Sequence, residues 1–150
     1  DGIRDYKVTG VQTCALPISR WLLDTHLVLW WLSADPRLPA AVQGMVMEPG
    51  AEVAVSQASL WEMAFKVSIG RLQVNLAEVE RQVPLQGFRW LPISNAHLLA
   101  VGALESDGAH QDPFDRLLVA QSRLEPMLLL TADRQLGRYG ATVVVTPPGC

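Results

Sequence analysis

MLLLTAD (127–133) is the stretch on which the fold turns: a short apolar run, a threonine, and an acid two residues later. A half-exposed strand would alternate apolar and polar residues. A continuous run of this length, rich in branched side chains, reads instead as a strand buried on both faces. Two stretches upstream repeat the pattern. WLLD (21–24) is a short apolar run ending in a carboxylate, and EVAVS (52–56) ends in a serine. FRWLPIS (88–94) contains another strand, and TVVV (142–145) is the last.

Helical segments fill the gaps. THLVLWWLS (25–33) follows the first strand and is closed by Asp35-Pro36. LPAAVQGMVMEPG (38–50) reads as a helix with Pro39 near its first turn and Pro49-Gly50 as its stop. QASLWEMAFKVSIG (57–70) is a helix capped by Ser56 and ended by Gly70. NLAEVERQV (75–83) and NAHLLAVGAL (95–104) are two more, Asp112-Pro113 opens FDRLLVAQSRLE (114–125), and ADRQLGRYG (132–140) is a short helix ending at Gly140. Strands alternating with helices imply an α/β fold, a three-layer α/β/α sandwich around a parallel sheet. In such sheets functional groups gather beyond the carboxyl ends of the strands, which here means Asp24, Ser56 and Thr131 to Asp133.

Composition sets limits. Of 150 residues 49% are hydrophobic and 18% charged, the profile of a packed globular chain rather than a disordered one. No apolar run approaches the ~18 residues of a membrane span. A net charge of -3 does not by itself attract nucleic acid, unless several carboxylates share a pocket and hold cations. The first stretch, DGIRDYKVTGVQTCALPIS (1–19), has neither helical nor strand periodicity and lacks the pattern of a signal peptide. It resembles the in-frame translation of a sequencing-library adapter, with Tyr6 and Lys7 where a sample index would sit. Residues 1–19 are therefore expected to be a non-native leader, and residues 20–150 one domain. Of the two cysteines, Cys14 falls in that leader and Cys150 is terminal, so no disulfide framework is expected, in keeping with a reducing cytoplasm.

Four acids stand at chemically suggestive places, and each has a structural alternative. Asp24 closes the first strand and is placed equally well to cap the following helix. Glu62 lies in a helix among Trp61, Ala64 and Phe65, expected to be core-like, and Lys66 four residues on offers it a surface ion pair worth ~0.3 kcal/mol. Asp112 precedes Pro113 and suits an N-cap, leaving Asp115 at the third helical position on the face of Leu118, Val119 and Ser122. Asp133 follows the strand MLLLT and is again a candidate cap, while Thr131 could add a hydroxyl. Carboxylates from separate segments meeting at one sheet edge repel one another, and a divalent cation resolves the conflict. There is no Cys/His spacing for zinc, and oxygen-only ligands suit Mg²⁺ or Mn²⁺.

LLDTH (22–26), SLWEMAFK (59–66), HQDPFDRLLVAQS (110–122) and LLLTAD (128–133) resemble the signature segments of PIN-domain ribonucleases, the VapC-type toxins of type II toxin–antitoxin systems. The resemblance runs over residues 20–146, and DPFDRLLVAQ is its most specific piece. It implies Mg²⁺- or Mn²⁺-dependent endoribonuclease activity on RNA, restraint by a cognate VapB-type antitoxin, and a homodimer. Residue by residue it implies Asp24, Glu62, Asp115 and Asp133 as catalytic and metal-ligating groups. The expected reaction is in-line hydrolysis of a phosphodiester, leaving 5'-phosphate and 3'-hydroxyl ends.

Arg116 and Arg134 lie beside candidate ligands and could contact phosphate, although solvated helix-face charges are the favoured reading of both. His110 could position substrate but is expected to be incidental to the loop, and His26 to belong to a helix start rather than act as a base. Trp30 and Trp31 fit core and interface better than base stacking. A phosphatase of the haloacid-dehalogenase type would need a second acid two residues after Asp24, where His26 stands. A non-catalytic PIN-fold module that only binds RNA or protein is the remaining alternative.

Overall fold

The computed structural model describes residues 19–147. The leader reading lies outside the described residues except for Ser19, whose carbonyl accepts the Glu52 N–H at 2.8 Å. Both cysteines also lie outside them.

The elements follow the expected alternation. They run β1 (Arg20–Leu23), α1 (Thr25–Leu32), α2 (Ala40–Met47), β2 (Glu52–Ser56), α3 (Gln57–Ser68), α4 (Leu76–Leu85), β3 (Arg89–Leu91), α5 (Asn95–Gly102), α6 (Pro113–Leu124), β4 (Leu128–Thr131), a 3-10 segment (Arg134–Tyr139) and β5 (Val143–Val145). The five strands form one sheet in the order β3-β2-β1-β4-β5, and every pairing is parallel. The middle strand is β1, the strand that ends at Asp24. Its neighbours β2 and β4 end at Ser56 and Thr131, so the edge beyond these strands collects the polar residues that close each apolar run.

Two cores flank the sheet, as the apolar character of both strand faces requires. On one side Leu23, Val53, Val55 and Leu130 meet Leu27 and Val28 of α1, Val42 and Val46 of α2, Met63 of α3, and Val79 and Val83 of α4. On the other Leu22, Ala54 and Leu129 meet Leu117, Leu118 and Val119 of α6 and Leu136 of the 3-10 segment. Each fully buried aliphatic side chain contributes ~1.5–3 kcal/mol relative to exposure. The adjacent residues Leu22 and Leu23 serve opposite cores, which is the period-two rule of a strand and the reason both had to be apolar.

Two elements depart most from the sequence reading. ADRQLGRYG folds as a 3-10 segment rather than an α-helix, with i→i+3 bonds from Leu136 N to the Asp133 carbonyl and from Gly140 N to the Gly137 carbonyl, both 3.2 Å. Gly137 is a poor α-helix former, and Gly140 at φ 91° ends the segment in a conformation that side chains resist. In α4 the helix continues through Pro84 to Leu85 before Gly87, at φ 85°, turns the chain toward β3.

Candidate active site

Asp24 is the hub. It follows β1, and its extended backbone (φ -64°, ψ 154°) makes it the N-cap of α1. Its Oδ1 accepts the Thr25 N–H at 2.7 Å and its Oδ2 accepts the Thr131 hydroxyl at 2.6 Å. The two readings of Asp24 thus coexist: the carboxylate caps a helix while sitting, almost wholly buried, at the carboxyl edge of the central strand. Burial raises its pKa above the ordinary aspartate range, and the Glu62 charge adds to that, against lowering by Thr131, His26 and Thr25.

Glu62 approaches from α3. Its Oε1 lies 2.7 Å from Thr25 Oγ1, which is also 2.9 Å from Ser59 Oγ. A carboxylate only accepts, so the Thr25 proton goes to Glu62, and the Ser59 hydroxyl supplies the proton of the second bond. Lys66 Nζ meets Glu62 Oε2 at 2.7 Å, the ion pair that the i,i+4 spacing suggested. The pair is not a surface one on the acid's side, because the Glu62 side chain is 5% exposed. That contact holds Lys66 above its usual pKa.

The surroundings of Glu62 correct an expectation. Trp61 and Phe65 are not core residues: they are 53% and 48% exposed. The inner face of α3 is taken by Ala58, Ser59, Glu62 and Met63. Trp61 and Phe65 lie one residue-step around the helix and pack on Phe114 at the start of α6, at ring-centroid distances of 4.6 and 6.1 Å.

At α6 Asp112 is the cap that the sequence reading expected. Its Oδ1 accepts the Asp115 N–H at 3.0 Å, with Pro113 in the first turn. Asp115 points inward and is pushed up to about 8, first by burial and then by the charges of Asp24, Asp112, Glu62 and Asp133. Asp133 is exposed, and its Oδ1 caps the 3-10 segment through the Gln135 N–H at 2.9 Å. Thr131 Oγ1 accepts the Asp133 N–H at 3.0 Å while donating to Asp24, so one hydroxyl links the two acids.

Among the described residues, no three acid, histidine or cysteine side chains close on one point as a ready-made metal cage. The reason is visible in the partners: Asp24 and Glu62 turn their oxygens to protein donors. Ser56, the third polar residue at the sheet edge, turns away. It caps Ala58 N and donates to Gln121 on α6, in a network that continues to the buried His97 and Glu125.

The two arginines part company. Arg116 directs its guanidinium to the Leu104 and Glu105 carbonyls and the Tyr139 hydroxyl, which fixes the α5–α6 loop and leaves little of it for a phosphate. Arg134 is exposed and makes no ion pair among the described residues. His26 is exposed beside Trp30, whereas Trp30 and Trp31 are half-buried against the α1–α4 core. Sequence reasoning missed the structural weight of three groups. Thr25 bridges toward Glu62, Ser59 supports Thr25, and His110, taken as incidental, is buried with its ring against Asp115 and Tyr139. Only Thr25 carried a signal, as the residue directly after a candidate ligand.

Comparison with known proteins extends this picture. A family profile described as PIN domain matches residues 21–141. Ribonuclease VapC22 of Mycobacterium tuberculosis is 32% identical over 125 residues, covering 77% of this chain and 88% of that protein. Among solved structures, VapBC2 from Rickettsia felis bound to a DNA fragment from their promoter is similar at TM-score 0.64 and 16% identity, over 86% of this chain and 98% of that one. A toxin-antitoxin complex from Klebsiella pneumoniae is similar at TM-score 0.58 and 21% identity, over 83% and 95%. At these identities the two structures speak for the fold.

Proposed function

The chain belongs to the PIN-domain family, and from that premise we propose that it is a metal-dependent endoribonuclease, the toxin of a type II toxin–antitoxin pair. One observation supports the reading: Thr25 joins Asp24 to Glu62 at the carboxyl edge of a parallel sheet, and the charges of both acids bear on the Asp115 carboxyl. The relative named a ribonuclease supports the RNA substrate, and the neighbours named as toxin–antitoxin complexes support a VapB-type antitoxin as partner.

The residues fit a hard divalent ion. Every donor is an oxygen, and negative charge exceeds the one nearby lysine. Mg²⁺ keeps most of its water shell and asks the protein for only one or two carboxylates, so a closed cage is not required. Asp24, Glu62, Asp115 and Asp133 would hold Mg²⁺ or Mn²⁺. When bound, the ion would neutralise the acids, draw in the phosphodiester and activate water for in-line attack. The protein's share of the work is orientation. Thr131 and the Thr25 N–H fix the Asp24 carboxylate, Thr25 and Lys66 fix Glu62, and Arg134 is free to meet a phosphate.

The partner surfaces are proposed on the same basis. Trp61, Phe65 and Ile69 make an exposed apolar face on α3 that suits a homodimer. A groove of about 670 Å³ beside α1 and α4, lined by Leu29, Trp30, Met63, Leu72, Val74 and Val79, suits an antitoxin segment. Among the described residues no helix is long and apolar enough to cross a membrane. The setting proposed is the cytoplasm, where the RNA substrate is.

Cleavage of structured RNAs by the purified chain, with and without Mg²⁺ or Mn²⁺, tests the reading. Asp24→Asn and Asp115→Asn should each abolish cleavage. Equal cleavage by wild type and Asp115→Asn would refute the site. No cleavage of any RNA, with no metal binding by calorimetry, would favour a binding module.

A further inference from the structure

His110 sits in the loop before α6, buried to 6% exposure, with both ring nitrogens engaged. Nδ1 lies 2.9 Å from the Tyr139 hydroxyl, and Nε2 lies 3.2 Å from Asp115 Oδ2. The rings of His110 and Tyr139 meet edge to face, with centroids 5.6 Å apart. On the far side Arg116 Nη1 reaches the same Tyr139 hydroxyl at 2.9 Å.

The direction of these bonds follows from what each group can do. A guanidinium only donates, so the Tyr139 oxygen accepts from Arg116. That contact polarises the hydroxyl and makes its own proton the better donor, and the acceptor in reach is His110 Nδ1. A ring that accepts at Nδ1 carries its proton on Nε2, which then donates to Asp115 Oδ2. Arg116, Tyr139, His110 and Asp115 thus form a chain of donors that runs in one direction. Its far end is anchored, because Arg116 also binds the Leu104 and Glu105 carbonyls.

We propose that His110 is a positioning residue for Asp115, held in the Nε2–H tautomer by Tyr139 and Arg116, so that Asp115 Oδ2 is fixed and Oδ1 is presented to the site. The proposal rests on the nuclease reading for its consequence, though not for its geometry. Histidine–carboxylate pairs of this kind orient an acid that must meet a cation in one pose. The arrangement also accounts for a buried loop histidine beside DPFD that the hydrolytic step itself does not call for.

The test reads the tautomer directly. In metal-free, ¹⁵N-histidine-labelled protein at about pH 9, where Asp115 is ionised, long-range proton–nitrogen correlation should show His110 protonated at Nε2 and unprotonated at Nδ1. Tyr139→Phe, which removes only the hydroxyl, should give a mixture of tautomers and lower kcat for RNA cleavage about 10-fold with KM unchanged. His110→Leu should lose about 10–100-fold in kcat, and His110→Gln, which keeps a donor toward Asp115, should recover most of it. A wild-type ring protonated at Nδ1 overturns the proposal, as does His110→Leu cleaving like wild type. If wild type cleaves no RNA, the nuclease reading fails on its own. The tautomer and its response to Tyr139→Phe then decide whether the donor chain exists.

Discussion

The Thr131 hydroxyl donates to Asp24 Oδ2 at 2.6 Å and ties the end of β4 to the end of β1. The two residues are 107 apart in sequence and adjacent across the central pair of strands. The bond favours the ionised form of Asp24 and so offsets part of the burial that raises its pKa. Thr131→Val keeps the shape and removes the donor. It should destabilise the metal-free protein by ~1–3 kcal/mol in urea unfolding, the cost of a buried acceptor losing its partner. The loss should grow as pH rises and Asp24 ionises, because a carboxylate misses the donor more than a neutral carboxyl does. Thr131→Ser should behave like wild type. A Thr131→Val protein of wild-type stability would mean that the hydroxyl does not hold Asp24.

The crowded acids predict a pH dependence of stability. Asp115 is pushed up to about 8 from an ordinary value of 3.8, and Asp24 moves in the same direction. Between those values the folded chain keeps a proton that the unfolded chain has released, so stability falls as pH rises. With respect to these groups, metal-free protein should therefore be most stable at and below about pH 4 and lose stability steadily toward pH 8. Millimolar Mg²⁺ should flatten the slope, because a bound cation replaces the proton. Thermal unfolding from pH 5 to 8.5, with EDTA or with Mg²⁺, checks both statements. A stability that rises with pH in EDTA would contradict them.

The strands were legible because each is a short apolar run buried on two faces, a pattern that needs no knowledge of partners. Asp24 and Asp112 were legible because caps and strand ends are local. The burial of α3 was misread for a physical reason. Trp61 and Phe65 have the i,i+4 spacing of a buried stripe, yet the buried stripe is Ala58, Ser59, Glu62 and Met63, rotated by about one residue. A helix that turns a polar functional face inward defeats a rule that equates apolar with buried. His110 was invisible for a different reason: its partners, Asp115 and Tyr139, are brought to it by an irregular loop and a 3-10 segment, neither of which has a periodicity to read.

The same crowding predicts a conflict between stability and function at Asp115. Asp115→Asn removes one charge from a site where Asp24, Asp112, Glu62 and Asp133 repel it. The amide oxygen can still accept from His110 Nε2. Metal-free Asp115→Asn should thus be more stable than wild type near pH 8, by ~1 kcal/mol or more, and its melting temperature higher by a few degrees. Its RNA cleavage should fall at least 100-fold, and its Mg²⁺ stabilisation should shrink. Differential scanning calorimetry with and without Mg²⁺, alongside a cleavage assay, separates the effects. A variant that loses both stability and activity would point to a structural role for the Asp115 charge.

Arg134 is a cation in sequence reach of the substrate. It follows Asp133 at the start of the 3-10 segment, is exposed, and has no carboxylate partner among the described residues. Arg138, four residues on, is paired with Asp107 at 3.0 Å, and Arg123 with Glu105 at 2.7 Å, so those charges are already neutralised. A guanidinium next to Asp133, with no carboxylate partner among the described residues, should meet a phosphate next to the scissile bond, displacing counterions from the RNA. Arg134→Gln should raise KM several-fold with kcat nearly unchanged, and lower the slope of log affinity against log salt by about 1. Both follow from losing one phosphate contact made equally in the ground and transition states. The Arg123→Gln variant is the control: it should leave the salt slope unchanged while loosening the α5–α6 loop. A fall in kcat for Arg134→Gln at constant KM would instead put the guanidinium on the charge that develops during hydrolysis, and equal salt slopes for the two variants would remove it from the RNA path.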